Sequence, residues 1–323
     1  MRVRWGMIGC GDVCEVKSAP AYQRCEGFEL HGVTRRNLEL AKDYAHRHGV
    51  PVVYRDAREL AYSDEVDAIY VATPPDSHLE YGLMAAEAGK PCCIEKPLAP
   101  SHADCLAIAE AFEHRNLPLF VAYYRRTQPR FLRVREWIDQ GAIGEPRQVS
   151  WRYSARPNAL DVSGQANWRT ELQIARGGYF DDMASHGLDL VVYWLGKVAR
   201  AGGLSHNQQG LYSSMDCVSG SWLHESGVSG SGTWNFGCAL AQDEMIIEGS
   251  GGLIRCAVFD EAPIVLETAE GRTEEMISSP DPVQQPHVNA MAATLAGGPE
   301  HPSTGLTACH TAWLMERLLG IDA

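Results

Sequence analysis

Long apolar runs are missing from this chain of 323 residues. No uninterrupted hydrophobic stretch approaches the roughly 20 residues that a helix needs to cross a bilayer. Positive charge is also scarce, because 28 lysines and arginines stand against 41 aspartates and glutamates and leave a formal net charge of −13. A protein whose main partner is nucleic acid needs a basic surface to bind phosphates. We therefore expect neither a membrane nor a nucleic acid as the partner.

The ten cysteines form no C-x-x-C pair and no regular framework. In a chain of this length, scattered cysteines are typical of buried, reduced thiols. Cysteine and histidine also do not occur at zinc-binding spacings. The first residues, MRVRWGMIGCG, lead directly into a strand pattern and lack the apolar core and cleavage site of a signal peptide. These features predict a cytoplasmic protein without a metal site.

Short apolar segments alternate with helical patterns in the first third of the chain. The predicted strands are 3–8, 29–34, 67–73, 91–94 and 118–122. The predicted helices are 38–48, 77–88 and 102–116. Asn37 and Ser101 are good N-caps for two of these helices, and Gly49 is a good residue to end the first. This alternation predicts a parallel, doubly wound α/β sheet.

The pattern changes after about residue 122. Further helices are predicted at 130–140, 182–195 and 304–319, and a strand at 147–153. From about 199 to 268, β-type segments follow one another between turn glycines, which predicts a large, mostly antiparallel open sheet. Because the chain is too long for one growing core, we expect two domains. They are an α/β domain of residues 1–122 and an α+β domain of residues 123–323, whose final helix could pack back on the first.

Residues 9–14, GCGDVC, follow the first predicted strand. Gly9 permits a tight turn, and Gly11 lets a pyrophosphate approach the backbone at a helix N-terminus. Cys14 stands at the third glycine position of the dinucleotide fingerprint. The motif is weak alone, but its place at the start of a βαβ series indicates a dinucleotide site. The predicted contacts are Gly9, Cys10, Gly11, Asp12 and Val13.

The end of the second predicted strand, VTRRN, bears on the choice of cofactor. An acidic residue at this place binds the ribose 2′-hydroxyl of NAD, and none is present. Thr34, Arg35 and Arg36 instead offer a hydroxyl and two guanidinium groups, which suit a 2′-phosphate. For Arg36 a solvated loop position is the alternative. We predict a preference for NADP(H), with NAD(H) as the second choice.

Residues 72–99, ATPPDSHLEYGLMAAEAGKPCCIEKPLA, contain three motifs in order. They are T-P-x-x-x-H (Thr73, Pro74, His78), A-G-K at 88–90, and E-K-P (Glu95, Lys96, Pro97). This stretch resembles the centre of the glucose–fructose oxidoreductase / inositol dehydrogenase (Gfo/Idh/MocA) family. Seven later stretches also resemble landmarks of the same family: RRTQPRF, GAIGEP, WR, GG…D…H..D, WLG, IEGSGGLI and PSTGLTA. Two departures are Arg176, where a third glycine is common, and His287, near a common tyrosine, to which we assign no cofactor role.

The resemblance implies a hydride-transferring enzyme with an N-terminal Rossmann domain and a C-terminal α/β domain. Its members typically act on sugars, cyclitols or related polyols. It also suggests dimers or tetramers, and an open sheet face is a natural surface for self-association, so we expect a homodimer or homotetramer. The further cofactor contacts that it suggests are Ala72, Thr73, Pro74, His78, Glu95, Lys96, Arg126, Trp168 and Arg169. Arg126, Trp168 and Arg169 are alternatively candidates to close over the substrate.

Lys96 follows the predicted strand PCCI and precedes a proline. It is therefore expected at the carboxyl end of a sheet strand, where open α/β sheets bind ligands. Lysine becomes a useful acid or base when burial or a nearby cation, such as an oxidised nicotinamide, lowers its pKa. Position alone equally fits a surface lysine, and the E-K-P motif favours the catalytic role. We expect Glu95 to orient Lys96 or to cap the loop.

The stretch GGYFDDMASHG at 177–187 opens the helix predicted at 182–195. On an α-helical wheel, Asp182, His186 and Asp189 share one face, which we expect to be functional or solvated. Apolar residues occupy the opposite face: Leu188, Val191, Val192 and Leu195. Two alternatives exist. Asp182 could be an N-cap with His186 as a surface residue, or the two could form a metal-binding pair, for which no third ligand is identifiable. We expect Asp181 to be a cap or a solvated residue.

The residues support an acid/base hypothesis with Lys96 across a cleft. His186 exchanges a proton with the substrate oxygen, Lys96 hydrogen-bonds to the same oxygen, and Asp182 binds a neighbouring hydroxyl and raises the basicity of the histidine. Lys96 and His186 could exchange roles. Two other functions stay open on this scaffold: a glycosidase that retains NAD⁺ for transient oxidation, and a non-catalytic nucleotide-binding sensor. The missing acid after the second strand counts against the first, and the intact Lys96, Asp182 and His186 count against the second.

Overall fold

The computed structural model describes residues 2–165 and 167–320. Two compact units divide the chain. The first holds the residues through Gln128 together with Pro280–Cys309, and the second holds Pro129–Ser279 together with the chain from His310 onward. The first unit thus extends past the expected boundary at 122 and takes back a later segment. That segment is tied to the first sheet, because the Val121 N–H donates to the Ser303 carbonyl at 3.3 Å.

A six-stranded parallel sheet forms the centre of the first unit. Its strands are β1 (Val3–Ile8), β2 (Phe28–Thr34), β3 (Val52–Val53), β4 (Ala68–Val71), β5 (Cys92–Ile94) and β6 (Leu119–Val121). The strand order is β3-β2-β1-β4-β5-β6. The order reverses between β1 and β4, and open α/β sheets bind ligands at such a switch point. The predicted parallel, doubly wound sheet is confirmed.

Helices connect these strands. They are α1 (Asp12–Val16), α2 (Ala19–Arg24), α3 (Leu38–His48), α4 (Ala57–Ala61), α5 (His78–Glu87) and α6 (His102–Glu113). The predicted caps are present, since the Asn37 side chain accepts from the Glu39 and Leu40 amides and Ser101 accepts from Asp104 N–H. Gly49 follows α3 with a φ of 66°, the left-handed conformation that glycine adopts readily.

An eight-stranded sheet dominates the second unit. Its strands are β7 (Pro146–Ser154), β8 (Val198–His206), β9 (Cys217–His224), β10 (Ser229–Asn235), β11 (Gln242–Gly249), β12 (Gly252–Cys256), β13 (Ile264–Thr268) and β14 (Gly271–Glu275). The order is β14-β13-β12-β11-β7-β10-β9-β8. Only the β7/β10 pair is parallel among the pairs of this sheet in the described chain. The predicted large, mostly antiparallel sheet is therefore also confirmed.

The remaining helices are α7 (Pro129–Asp139), α8 (Ala159–Val162), α9 (Ser185–Leu195), α10 (Gln285–Leu295) and α11 (Gly305–Leu319). The division between the units falls inside α11, after Cys309. The first turns of this final helix belong to the first unit, and the rest belongs to the second. None of the helices in the described parts of the chain is long and apolar enough to cross a bilayer.

The helix expected at 182–195 differs from the prediction in two ways. Phe180–Ala184 is π-helical, so the α-helical wheel does not apply across Asp182. In α9 every residue except the half-buried Tyr193 is buried, so this face is not solvated, and its functional role stays a prediction. The cause is packing on several sides. Trp151 of β7 lies so close to Gly187 that a Cβ there would come within 2.3 Å of the ring, and the Thr311 hydroxyl of α11 donates to Asp189 at 3.1 Å.

Candidate functional site

The glycine turn after β1 has the shape that a phosphate-binding turn needs. Gly9 has a φ of 92°, and a Cβ on it would lie 2.6 Å from the Thr73 side chain. Around the position of a Cβ on Gly11, by contrast, the described residues leave open space for 4 Å. A side chain is thus excluded at Gly9 by the fold, whereas the backbone at Gly11 is open to a ligand. The turn fits a dinucleotide pyrophosphate.

Cys14, at the third glycine position of the fingerprint, is accommodated by the packing of α1. The thiol is fully buried and donates to the Gly9 carbonyl at 3.5 Å. The Tyr44 hydroxyl donates to the Cys14 carbonyl at 3.2 Å. Burial raises the pKa of the thiol, which keeps it protonated and neutral. The departure from glycine therefore does not open the turn.

Arg35 and Arg36 occupy different environments at the end of β2. Arg35 is half-buried, and its Nη1 donates to the Cys10 carbonyl at 3.2 Å, so its guanidinium lies at the glycine turn. The preceding Thr34 is buried and its carbonyl accepts from Gly9 N–H at 2.9 Å. Arg36 is exposed, and both its expected cofactor contact and the solvated alternative stay open. At the same turn Asp12 is exposed and Val13 is half-buried.

His78 is a structural link inside the first unit. It is fully buried, and its Nε2 lies 2.9 Å from the Thr73 carbonyl while its Nδ1 lies 3.0 Å from the Pro97 carbonyl. Burial lowers the pKa of the imidazole despite these carbonyls. Because both ring nitrogens face backbone carbonyls, His78 ties the Thr73 turn to the E-K-P loop, and its expected cofactor contact stays a prediction. Ala72, Thr73 and Pro74 lie at that turn, directly after β4.

Glu95 holds the backbone of the E-K-P loop. The carboxylate is only 7% exposed. Its Oε1 accepts from the Tyr70 hydroxyl at 2.6 Å and from Gln284 Nε2 at 3.0 Å, and its Oε2 accepts from the Lys96 backbone N–H at 3.3 Å. Lys96 itself is half-buried at the carboxyl end of β5. The geometry agrees with the expectation that Glu95 caps this loop.

Two partners of Glu95 were missed by sequence reasoning. Tyr70 is one hydroxyl within the otherwise apolar β4, and a buried tyrosine normally has a hydrogen-bond partner, so it carried a weak signal. Gln284 carried none, because it lies 189 residues from Glu95 along the chain. Arg126, expected near a ligand, is only 3% exposed, and its Nη1 donates to the Pro302 carbonyl at 2.7 Å. Part of its donor set therefore fixes the returning segment.

In the second unit, Asp182 forms an ion pair with Arg169. Arg169 Nε donates to Asp182 Oδ2 at 2.8 Å, with 40% of the arginine side chain and 20% of the aspartate side chain exposed. The guanidinium carbon lies 4.4 Å from the centroid of the Trp168 ring. The Asn167 side chain accepts from the Arg169 backbone N–H at 3.2 Å. These contacts join the predicted residues Trp168, Arg169 and Asp182 into one partly exposed cluster.

Tyr179 supports that cluster from behind. Its hydroxyl donates to Asp161 at 2.7 Å and accepts from Asn167 Nδ2 at 2.8 Å. Burial, together with the hydrogen bond to the Asp161 carboxylate, raises the pKa of the phenol. The segment that carries Arg169 is thus hydrogen-bonded to the residue that directly precedes the π-helical turn.

His186 lies in the first turn of α9 and is 5% exposed. Its ring meets Phe259 edge to face, with centroids 5.9 Å apart. The neighbouring Asp181 accepts from Gly177 N–H at 2.9 Å, so it does cap a backbone amide. Burial, with the negative charge of Asp182 nearby, raises the pKa of Asp181 to about 7. The two adjacent aspartates therefore differ: Asp181 is a cap and Asp182 is the ion-pair partner.

Metal ligation is a further possibility for acidic, histidine and cysteine side chains. Among residues 2–165 and 167–320, no cluster of three or more histidine, cysteine, aspartate or glutamate side chains has suitable geometry. The polar groups described above are engaged in hydrogen bonds and in the Arg169–Asp182 ion pair. Chemistry on a substrate hydroxyl or carbonyl fits these groups.

Known proteins are similar to this chain in sequence along most of its length. Residues 3–123 match the family described as "Oxidoreductase family, NAD-binding Rossmann fold", and residues 131–255 match the GFO/IDH/MocA C-terminal domain. The oxidoreductase P35 of Formosa agariphila is 37% identical over 291 residues, which cover 89% of each chain. The 1,5-anhydro-D-fructose reductase of Ensifer adhaerens is 28% identical, over 84% of this chain and 82% of its own.

Solved structures show the same fold. The complex of levoglucosan dehydrogenase with NADH and levoglucosan superimposes with a TM-score of 0.85 at 21% identity, covering 98% of this chain and 96% of that one. An identity this low supports the fold alone. The family matches and the 37% identical relative carry the assignment further. The chain belongs to the Gfo/Idh/MocA family of oxidoreductases, as the motifs at 72–99 indicated.

Proposed function

We propose that the protein is an NADP(H)-dependent oxidoreductase that transfers a hydride between nicotinamide and a sugar, a cyclitol or a related polyol or carbonyl compound. The observation that carries the cofactor choice is the position of Arg35, whose guanidinium donates to the Cys10 carbonyl of the glycine turn. The substrate class is supported by similar proteins, which reduce 1,5-anhydro-D-fructose or oxidise levoglucosan according to their names.

The preference for NADP(H) rests on charge at the end of β2. Thr34, Arg35 and Arg36 offer a hydroxyl and cations where an NAD-specific enzyme has a carboxylate. A guanidinium forms short, charge-assisted hydrogen bonds with a phosphate, and a 2′-hydroxyl lacks that charge. Levoglucosan dehydrogenase was solved with NADH, so family membership alone does not decide the cofactor.

The proposed chemistry assigns a role to each of three side chains. Bound nicotinamide supplies or accepts the hydride. His186 exchanges a proton with the substrate oxygen, and the Lys96 ammonium group donates a hydrogen bond to that oxygen. Asp182, oriented by Arg169, accepts a hydrogen bond from a neighbouring substrate hydroxyl and favours the protonated form of His186. Lys96 and His186 could exchange the role of terminal acid.

Two further properties belong to the proposal. All ten cysteines are free thiols, which supports a cytoplasmic enzyme. The wide eight-stranded sheet is a natural surface for self-association, which supports a homodimer or homotetramer. Light scattering at micromolar protein concentration tests this, because a monomeric mass would contradict it.

A substrate and cofactor screen tests the function. NADPH or NADH oxidation is followed with aldoses, ketoses, osones and inosose-like ketones, and NADP⁺ or NAD⁺ reduction with the corresponding alcohols. We expect turnover with at least one cyclic polyol or its ketone, and a lower Kd for NADPH than for NADH. Equal or tighter NADH binding would overturn the cofactor choice. Release of a leaving group from a glycoside without net cofactor reduction would favour a glycosidase instead.

A further inference from the structure

Tyr153 lies in a group of aromatic rings in the second unit. Its ring centroid is 5.7 Å from Phe236 and 5.4 Å from Phe259. We call these three residues the Tyr153 cluster. Phe236 is 4% exposed, whereas Tyr153 and Phe259 are half-buried, so part of the cluster is open to solvent.

The sheet places Tyr153 firmly. It lies near the end of β7 and pairs with Trp234 of β10 on one side and Asp243 of β11 on the other. Asp243 accepts from Trp151 Nε1 at 3.0 Å and from the Phe259 backbone N–H at 2.5 Å. The loop that carries Phe259 is thereby fixed to the same strands as Tyr153. The cluster is therefore preformed, which lowers the entropic cost of binding a ligand.

The Tyr153 cluster borders the proposed acid/base residues of the same unit. Phe259 contacts Tyr153 on one side and the His186 ring on the other, at centroid distances of 5.4 and 5.9 Å. Tyr153 is also close enough to Asp182 to feel its charge. Burial, together with Asp243, Asp260 and Asp182, raises the pKa of Tyr153 to about 12. The phenol therefore stays protonated near neutral pH and remains a hydrogen-bond donor.

The hydroxyl of Tyr153 has no role in the fold. Other tyrosine hydroxyls are used internally: Tyr44 donates to Cys14, Tyr70 to Glu95, and Tyr179 to Asp161. Within residues 2–165 and 167–320, burial and nearby carboxylates act on the Tyr153 hydroxyl, and no side-chain hydrogen bond does. A phenylalanine would give the same packing with less polar cost. The hydroxyl, which is within range of the Asp182 charge, is therefore available to a ligand.

We propose that Tyr153 binds the substrate, with its hydroxyl donating a hydrogen bond to a hydroxyl of a cyclic polyol and the Tyr153 cluster contacting the C–H surface of the ring. The inference rests on the proposed function and adds a specificity residue to it. A cyclic polyol presents both surfaces at once, since its C–H groups line an apolar patch and its hydroxyls project from the edge. Aromatic side chains with one polar end match that combination.

The test compares Tyr153→Phe with wild type and with the control Tyr62→Phe. Tyr62 is 41% exposed in the first unit, outside the residues assigned to the site. For Tyr153→Phe we expect KM for the preferred cyclic polyol to rise about 3- to 10-fold, as the loss of one neutral hydrogen bond implies. The Kd of the cofactor and the melting temperature should stay at wild-type values. Tyr62→Phe should change none of these.

A deoxy series sharpens the assignment. If Tyr153 binds one particular hydroxyl, one deoxy analogue of the substrate should show the same KM with wild type and with Tyr153→Phe. Tyr153→Leu removes the ring as well, and we expect it to lower kcat/KM for the cyclic substrate more than for an open-chain polyol. Each measurement is made at a cofactor concentration well above the Kd of the cofactor.

Three outcomes separate the possibilities. An unchanged KM in Tyr153→Phe with every analogue overturns the inference and leaves the proposed function standing. A fall in melting temperature with KM unchanged means that the hydroxyl serves stability, which also overturns it. If wild type turns over no sugar or polyol with either cofactor while it binds NADPH, the proposed function fails first and the inference falls with it.

Discussion

The Tyr70 hydroxyl donates a hydrogen bond of 2.6 Å to Glu95, from the middle strand β4 to the first residue after β5. The same carboxylate oxygen accepts from Gln284, and the other oxygen accepts from Lys96 N–H. A buried carboxylate is costly unless its lone pairs are satisfied. These three donors satisfy it, and in doing so they fix the backbone from which Lys96 extends.

Tyr70→Phe should therefore damage catalysis through the position of Lys96. A hydrogen bond to a charged group contributes about 1.5–3 kcal/mol, so we expect a comparable fall in the free energy of unfolding. We also expect kcat to fall at least tenfold. The Kd of NADPH should change less than threefold, because Tyr70 is buried and acts on the E-K-P loop through Glu95. Denaturant unfolding, stopped-flow turnover and cofactor titration measure these three quantities.

Tyr22→Phe is the matched control for this change. Tyr22 is equally buried and stacks on Tyr70 with ring centroids 5.0 Å apart, but it does not donate to Glu95. It should keep wild-type kcat. If both variants lost kcat to the same degree, the effect would come from ring packing and not from the hydrogen bond to Glu95.

Arg35→Ala should weaken NADPH binding selectively. Loss of a charge-assisted contact with the 2′-phosphate predicts an increase of about 10- to 100-fold in the Kd of NADPH, with little change in that of NADH. Arg36→Ala is the control, because Arg36 is exposed and should have the smaller effect. Fluorescence titration of both cofactors with both variants checks this. An equal rise for NADH and NADPH in Arg35→Ala would show a role in the turn alone.

Acid should destabilise the protein through His301. Burial lowers the pKa of His301 from 6.5 to about 4, and the positive charge of Arg126 acts in the same direction. Because the folded-state pKa lies below the unfolded one, this stabilising contribution is present above pH 6.5 and is lost as pH falls towards 4. A shift of this size corresponds to about 3 kcal/mol. The neighbouring His287 is also buried, with its ring centroid 4.6 Å from that of His301, and its pKa is lowered as well.

Denaturant unfolding at pH 7, 6, 5 and 4.5 measures this loss. The free energy of unfolding of His301→Gln should fall less steeply between pH 6.5 and 4.5 than that of wild type. His46→Gln, at an exposed position on α3, should follow the wild-type curve. Parallel curves for wild type and His301→Gln would contradict the assignment.

The contribution of Asp181 to stability should have the opposite pH dependence. Its pKa is raised from 3.8 to about 7, so its neutral form is favoured by folding. The stability that it contributes is complete below pH 3.8 and is lost as pH rises towards 7. Asp181→Asn retains an acceptor for Gly177 N–H without the charge, so the variant should gain stability relative to wild type as pH rises from 4 to 8. Thermal melts across this range test it, with the exposed Asp76→Asn as the control that should show no such trend.

The sequence predicted the first sheet well because its signals are local. Strand β1, the glycine turn and the caps Asn37 and Ser101 are each specified by a few neighbouring residues. The motifs also placed Lys96 after β5 and His186 on a helix. Contacts between residues that are far apart along the chain were not predicted. Gln284 contacts Glu95 only because the chain returns to the first unit, and no local sequence pattern predicts that return.

Helix α9 shows a different limit. The wheel separated Leu188 and Val191 from Asp182, His186 and Asp189, which predicted one apolar face. The structure buries both faces, since Asp189 is 1% exposed and accepts from Thr311. A buried polar residue with a partner looks the same in sequence as a solvated one. The π-helical turn at Phe180–Ala184 is equally invisible, because it depends on packing and not on residue type.

The central claim is hydride transfer from NADPH to a polyol-type carbonyl carbon, with His186 and Lys96 as its acid/base groups. Its most direct test is incubation of the enzyme with [4-²H]NADPH, of each C4 configuration, and the carbonyl substrate found in the screen, followed by mass spectrometry of the product. We predict one deuterium on the carbinol carbon with one of the two labelled cofactors, and at least 100-fold slower labelling with His186→Ala and with Lys96→Ala at unchanged Kd of NADPH. Product without deuterium from either cofactor, or wild-type labelling rates in both variants, would contradict the account.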